Sequence, residues 1–255
     1  MHWSDYFFYV QKIGSRYFIV AGIAFLIFYF LLKKYVAFKK IQSKFPGKKD
    51  YFREISYSTI TIAIFGAVPL FILHVPALKA HTFFYTGLNE YGKVYFFLAF
   101  PLMFLIHDTY FYWLHRLMHH KKLFRLFHLV HHQSTNPSPW AAYAFHPLEA
   151  IVEAGIFAIF LFTIPIHPLH LAIFFFVMIV YNVYGHLGYE LYPKGFSRHW
   201  LGKWINTSVN HNQHHQYFKG NYGLYFLWWD RWMNTLRKDY DEKFDAVKDL
   251  KRWDV

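Results

Sequence analysis

"YFIVAGIAFLIFYFLLKKYVAFKKIQSKFPGKKDYFR", residues 17–53, opens with sixteen uncharged residues and continues with eight bases against one acid. An apolar run that meets such a basic run reads as a membrane span entering a cytoplasmic loop, because Lys and Arg collect on that side and face anionic lipid. Crossing a hydrocarbon core of about 30 Å takes about 20 residues. The first run reaches that length if it begins near Ile13, with Arg16 snorkelling to the interface. A second segment, Ile55 to Leu78, follows the bases and is broken only by His74 and two prolines. The loop after it, "KAHTFFYTGLNEYGK" (residues 79–93), is nearly neutral, as expected outside.

A third segment from Val94, continuing through "FFLAFPLMFLIHDTYFYWLH", returns the chain to the basic side and brings His115 to the cytoplasmic interface. The next apolar stretch, Ala154 to Tyr184, is interrupted by "PIHPLH", Pro165 to His170. Each arm is short for a full span, so the pair is either two tilted helices or a re-entrant hairpin. Both alternatives bring the chain back to the side it left. The expected fold is therefore all-α: a multi-pass transmembrane helical bundle of about four spans, the last two a short hairpin in one alternative, under a cytoplasmic histidine-rich helical cap. Residues 1–255 are expected to form a single integral membrane domain.

Composition agrees with a lipid surrounding. Apolar residues make up 55% of the chain and aromatic residues 24%, above the roughly 45–50% apolar share of soluble domains. The net charge of +12 comes without a nucleic-acid recognition motif, so no nucleic acid is expected as partner. Cysteine is absent, which excludes disulfides, thiolate metal sites and cysteine nucleophiles. No basic leader with a small-residue cleavage site is evident, so no removable signal peptide is expected.

Six of the eighteen histidines lie in "HRLMHHKKLFRLFHLVHH", His115 to His132. On a helix, His115 and His119 are about 40° apart and share a face. His120 turns about 100° away from His119 and is the weaker candidate. His128, His131 and His132 form an HxxHH group, repeated at His211, His214 and His215 in "HNQHH". Isolated histidines such as His2, His74, His81, His167, His170 and His199 are expected to be surface or hydrogen-bonded residues. Eight imidazoles at matched spacings on one side of the membrane point to metal. They exceed the ligands of one ion, so two ions sharing the set is the economical count. Imidazole suits Zn, Cu, Fe and Ni alike. A site facing the bilayer without a paired Ser or Cys nucleophile is better placed for C–H bonds than for hydrolysis, which favours iron, with zinc as an alternative occupant on purification.

The runs "HDTYFYWLHRLMHH", "FHLVHH", "AFHPLEA", "GHLGYE" and "HNQHHQYFKGNYGLYFLWWDRWMNTL" resemble the fatty acid hydroxylase / sterol desaturase superfamily of membrane di-iron enzymes, over roughly residues 95 to 237. The resemblance implies oxygen-dependent hydroxylation or desaturation of a lipid such as a fatty acyl chain or sterol. It also implies two iron ions and a separate electron donor, cytochrome b5-like or ferredoxin-like. His115, His119, His128, His131, His132, His211, His214 and His215 match the family's metal-binding positions. No haem motif or dinucleotide fingerprint is evident, so no internal donor is expected.

Further positions are weighed beside these. His186 and Glu190 in "GHLGYE" are four apart, on one face if helical, and His186 is taken as a ligand. Glu190, where some family members carry a histidine, is a ligand, an acceptor orienting a histidine, or an interfacial acid. His146 precedes a proline that suits a helix start. Asp108 is expected to meet a ligand imidazole, and Asp230 in "WWDRW" to do the same. Two other functions compete: an alkyl ether lipid monooxygenase using the same site, and a membrane zinc-binding or transport protein, which would place its ligands near the midplane. A bacterial inner membrane is the favoured location, or the endoplasmic reticulum in a eukaryotic cell.

Overall fold

The uncharged runs form long helices, since a backbone in an apolar surrounding has only its own carbonyls to bond. A computed structural model describes residues 2–249, and among them all regular structure is helical, with only isolated bridges between extended residues. Helix α1 (Trp3–Phe25) is capped where the Asp5 carboxylate accepts from the His2 amide at 3.1 Å. Its end loosens into a π-helical turn, Leu26–Leu31, and the two together make a 29-residue helical segment that contains a run apolar enough to cross a membrane. The helix thus begins ten residues before Ile13, where the apolar run was expected to start, and Arg16 lies within it.

Helix α2 (Lys48–His74) starts after Pro46, where Asp50 accepts from the Gly47 amide at 2.9 Å. A single turn, α3 (Pro76–Lys79), leads to the loop before α4 (Gly92–Met118). Pro69 and Pro101 lie inside α2 and α4, as membrane-type helices tolerate. Two short turns follow, α5 (Phe124–Phe127) and α6 (Leu129–His132). The apolar stretch 154–184 resolves into α7 (Pro147–Thr163) and α8 (Pro168–Gly185). Each starts on a proline preceded by a histidine, His146 or His167, whose Nδ1 accepts an amide two residues on. Then come α9 (Ser208–Tyr217), α10 (Trp228–Trp232) and α11 (Tyr240–Asp249).

Among the described residues, four helical segments are long and apolar enough to cross a membrane: 3–31, α2, α4 and α8. Helix α7, at 17 residues, is the shorter arm of the hairpin. Large apolar side chains on the long helices remain uncovered, among them Trp3, Phe30, Phe52, Val94 and Phe97, as on a surface that meets lipid. Inside, α1 packs on α2, α2 on α7, and α8 against α1 and α4, around Tyr17, Met103, Phe160, Phe174 and Ile179.

Buried polar ties hold the cap on this bundle. Glu54 of α2 accepts from Ser134 at 2.8 Å and from Ser138, fixing the loop that follows α6. Tyr17 and Ser58 both donate to the Trp140 carbonyl, and Asn182 of α8 donates to the Ala142 carbonyl. These bonds seat residues 133–146 between the spans and the histidines.

Candidate metal centre

Helix α9 is polar and yet buried from Ser208 to His215. Such a helix gains nothing from apolar burial, so its ends and side chains must be held by specific partners. Thr207 caps it by accepting from the Asn210 amide at 3.2 Å. The buried Glu190 carboxylate accepts from the Val209 amide at 3.0 Å, the Tyr192 amide at 3.0 Å and the Tyr184 hydroxyl at 2.7 Å. Its two oxygens are thereby committed to positioning α9, and it is in neither histidine group.

The nine histidines fall into two groups, each able to hold a metal ion: His115, His119, His128, His132 and His214 in the first, His131, His186, His211 and His215 in the second. In each group the ligand nitrogens lie within 4.8 Å of one another. The groups adjoin, with the rings of His132 and His215 4.9 Å apart and those of His128 and His131 5.2 Å apart. Helical spacing accounts for the partition. Residues four apart share a face, so the pairs 115/119 and 128/132 enter the first group and 211/215 the second. The remaining member of each HxxHH group, His131 or His214, turns into the opposite group.

Hydrogen bonds on the far side of the rings set the tautomers. His115 Nδ1 donates to the Tyr222 carbonyl at 2.9 Å, His214 Nδ1 to the Gly220 carbonyl at 2.7 Å and His186 Nδ1 to the Asn182 carbonyl at 2.8 Å. His128 Nδ1 meets the buried Glu149 carboxylate at 2.5 Å. A carbonyl only accepts, so in the neutral ring the opposite nitrogen carries a bare lone pair. His115 Nε2 and His128 Nε2 are buried without a hydrogen-bond partner. In the second group the Nε2 atoms of His186, His211 and His215 lie pairwise 3.0 to 3.2 Å apart, closer than single hydrogens can satisfy all round. Burial, and then the neighbouring imidazoles, hold His128, His131, His132, His211, His214 and His215 well below the ordinary histidine pKa. Burial takes His186 down to about 4. Converging nitrogens on neutral rings, four of them braced through the opposite nitrogen, fit a pair of divalent cations.

Several expectations are corrected. Asp108 does not meet an imidazole: its Oδ1 accepts from the Tyr225 and Phe226 amides at 2.9 and 3.2 Å, because the chain after α9 folds back over α4 with those amides unpaired. Asp230 likewise accepts from the Tyr222 and Gly223 amides and the Thr235 hydroxyl. It reaches His115 only through Tyr222, whose carbonyl receives that ring. His186 and Glu190 do not share a helix face, since α8 stops at Gly185 and Gly188 takes a left-handed φ of +73°. His146 caps α7, and exposed His120 accepts from the Lys122 amide at 3.4 Å. Sequence reading missed Glu149, whose signal was an acid in the first turn of a largely apolar helix.

Aromatic rings enclose the histidines on both sides. Phe124 and Phe218 pack on His132 at 5.6 and 4.9 Å. Phe111 lies 5.0 Å from His115, and Phe145 lies 5.1 Å from His131. Phe111 and Phe145, with Asn182, also line a cavity of about 800 Å³ whose walls are mostly apolar side chains from the long helices, within the usual size range of small-molecule sites.

The fatty acid hydroxylase family model matches residues 100–235. Among curated relatives, the Delta(7)-sterol 5(6)-desaturase ERG3B of Gibberella zeae is 33% identical over 198 residues, covering 76% of this chain and 58% of that protein. The Delta(7)-sterol 5(6)-desaturase erg31 of Schizosaccharomyces pombe is 32% identical, covering 72% of this chain and 57% of its own length. Human lathosterol oxidase is 28% identical over 84% of this chain and 72% of its length. The chain thus spans 58% and 57% of the two fungal relatives. No solved structure matches it.

Proposed function

From the premise that this chain belongs to the fatty acid hydroxylase family, we propose that it is a membrane oxidoreductase that hydroxylates or desaturates a C–H bond of a lipid, with a sterol as the favoured substrate class. The observation that carries this reading is the shared wall: two buried imidazole groups abut an apolar cavity through Phe111, Phe145 and Asn182. Relatives named as sterol desaturases and lathosterol oxidases support the choice of lipid.

The nine histidines would hold two iron ions, and bound iron would supply oxygen activation. The remaining work falls to the protein. Glu149 and the carbonyls of Asn182, Gly220 and Tyr222 hold the hydrogens of His128, His186, His214 and His115 on the outer nitrogen, leaving those rings' inner lone pairs directed at the ions. Phe124 and Phe218 exclude water on one side, while the cavity orients the lipid on the other. In this reading the histidines face the cytoplasm, where the basic loop 33–53 also lies, and electrons arrive from a separate carrier.

The test is made on protein purified anaerobically with iron in lipid. About two irons per chain, and a cellular lipid that gains labelled oxygen under oxygen-18 gas or loses two hydrogens without label, are expected. His131→Ala and His214→Ala each remove one ligand from a different group and should lower metal content and abolish turnover while the protein stays in the membrane. Unchanged activity in both variants would overturn the assignment.

A further inference from the structure

An arginine held against an apolar interior is normally met by an acid or by backbone carbonyls. Arg16 of α1 is half-buried and lines the cavity. Among the described residues it makes no hydrogen bond or ion pair; its buried Nε has no partner. The face of Phe175 in α8 lies 5.8 Å from the guanidinium carbon, and Tyr143 of the same cavity wall is its electrostatic neighbour. Glu153, the acid that lines the same cavity, forms no ion pair with it. The guanidinium therefore presents a fork of free donors to a mostly apolar space, whose other charged side chains are Lys12 and Glu153.

Resting on the lipid oxidoreductase reading, we infer that Arg16 is the recognition site for the one polar end of the substrate, an oxygen that accepts hydrogen bonds: the hydroxyl of a sterol or the carboxylate of a fatty acid. Arginine suits this role because its charge persists when desolvated and its donors are held in a plane. The geometry also orients the ligand. Phe175 precedes Asn182 by seven residues, about 10 Å along a helix, and the Asn182 carbonyl braces His186. A lipid anchored at Arg16 by its oxygen thus extends its apolar body towards the histidine wall and presents a carbon there.

Binding of saturated, unreactive probes tests this without turnover. The full chain in lipid nanodiscs, kept without reductant, is titrated with 5α-cholestan-3β-ol, 5α-cholestane and stearate. At least one of the two oxygen-bearing probes should bind ten-fold or more tightly than cholestane, and which of them does so identifies hydroxyl or carboxylate. Arg16→Met should erase that preference while cholestane binding and metal content stay as in the wild type. Arg16→Lys, which keeps the charge and a donor, should retain part of it. The inference is overturned if neither oxygen-bearing probe is preferred by the wild type, or if Arg16→Met keeps the preference. Should Arg16→Met fail to assemble, Arg16→Lys becomes the deciding variant, and full wild-type preference for both probes in it would overturn the required fork. Metal content and lipid products report separately on the oxidoreductase reading, so its failure is distinguishable from this one.

Discussion

In His115, His128, His186 and His214 the fold gives the two ring nitrogens different partners. Nε2 of His128 converges with its group while Nδ1 meets Glu149 at 2.5 Å. Removing such an outer partner typically weakens metal affinity or activity by about 10–100-fold. Glu149→Gln keeps an acceptor oxygen but loses the charge that favours the Nδ1 hydrogen. An iron titration of the apo-protein should show weaker binding by about that factor at one of two ions, and two equally tight sites would refute the bracing role. The same contact marks a limit of sequence reading. The spacing of HxxxH and HxxHH shows which rings share a face, but not that an acid 21 residues away closes on one of them. Asp108 and Asp230 teach the converse: both are buried near the histidines, yet they serve backbone amides, because the turns of the returning chain needed acceptors first.

At the scale of elements, helix α9 depends on one buried carboxylate. Glu190→Ala leaves the Val209 and Tyr192 amides and the Tyr184 hydroxyl without their acceptor. Stranded buried donors cost about 1–3 kcal/mol each, and thermal unfolding in detergent should register about 3 kcal/mol in total, only partly recovered by Glu190→Gln, whose amide nitrogen cannot accept from an N–H. The connection after α1 carries a second buried charge. Lys40 sits among Tyr29, Phe45 and Tyr189 at 5.2 to 5.8 Å from their ring centroids, and burial draws its ammonium from 10.5 down to about 8. Because the folded value is the lower one, the buried charge costs stability below pH 8, and the cost lifts as pH rises towards 10.5. Lys40→Met should therefore unfold at higher temperature than the wild type at pH 7. The gain, about 2 kcal/mol after allowing for the lost ring contacts, should shrink by pH 10.5. A constant difference across that range would remove the charge from the explanation.

For the whole molecule, the order of spans sets which loops share a side. The chain has no cysteine, so single cysteines report topology without background. Ser43→Cys and Lys121→Cys, both at exposed positions, should react with an impermeant maleimide from the same side of sealed vesicles, and exposed Asn89→Cys from the other. Labelling of positions 89 and 121 from one side would break the expected crossing by α4. The sequence by itself determined the helical class and which matched histidines, such as His115 and His119, share a helix face, because both follow from local properties: apolar length, and a side-chain direction that repeats every 3.6 residues. Tertiary structure alone decided how the histidines divide into two groups, that Glu190 positions α9, and that Arg16 faces a cavity. These depend on partners brought together from 19 to more than 100 residues apart, and on where a helix begins or stops. Chain folding sets such distances, and no spacing along the sequence encodes them.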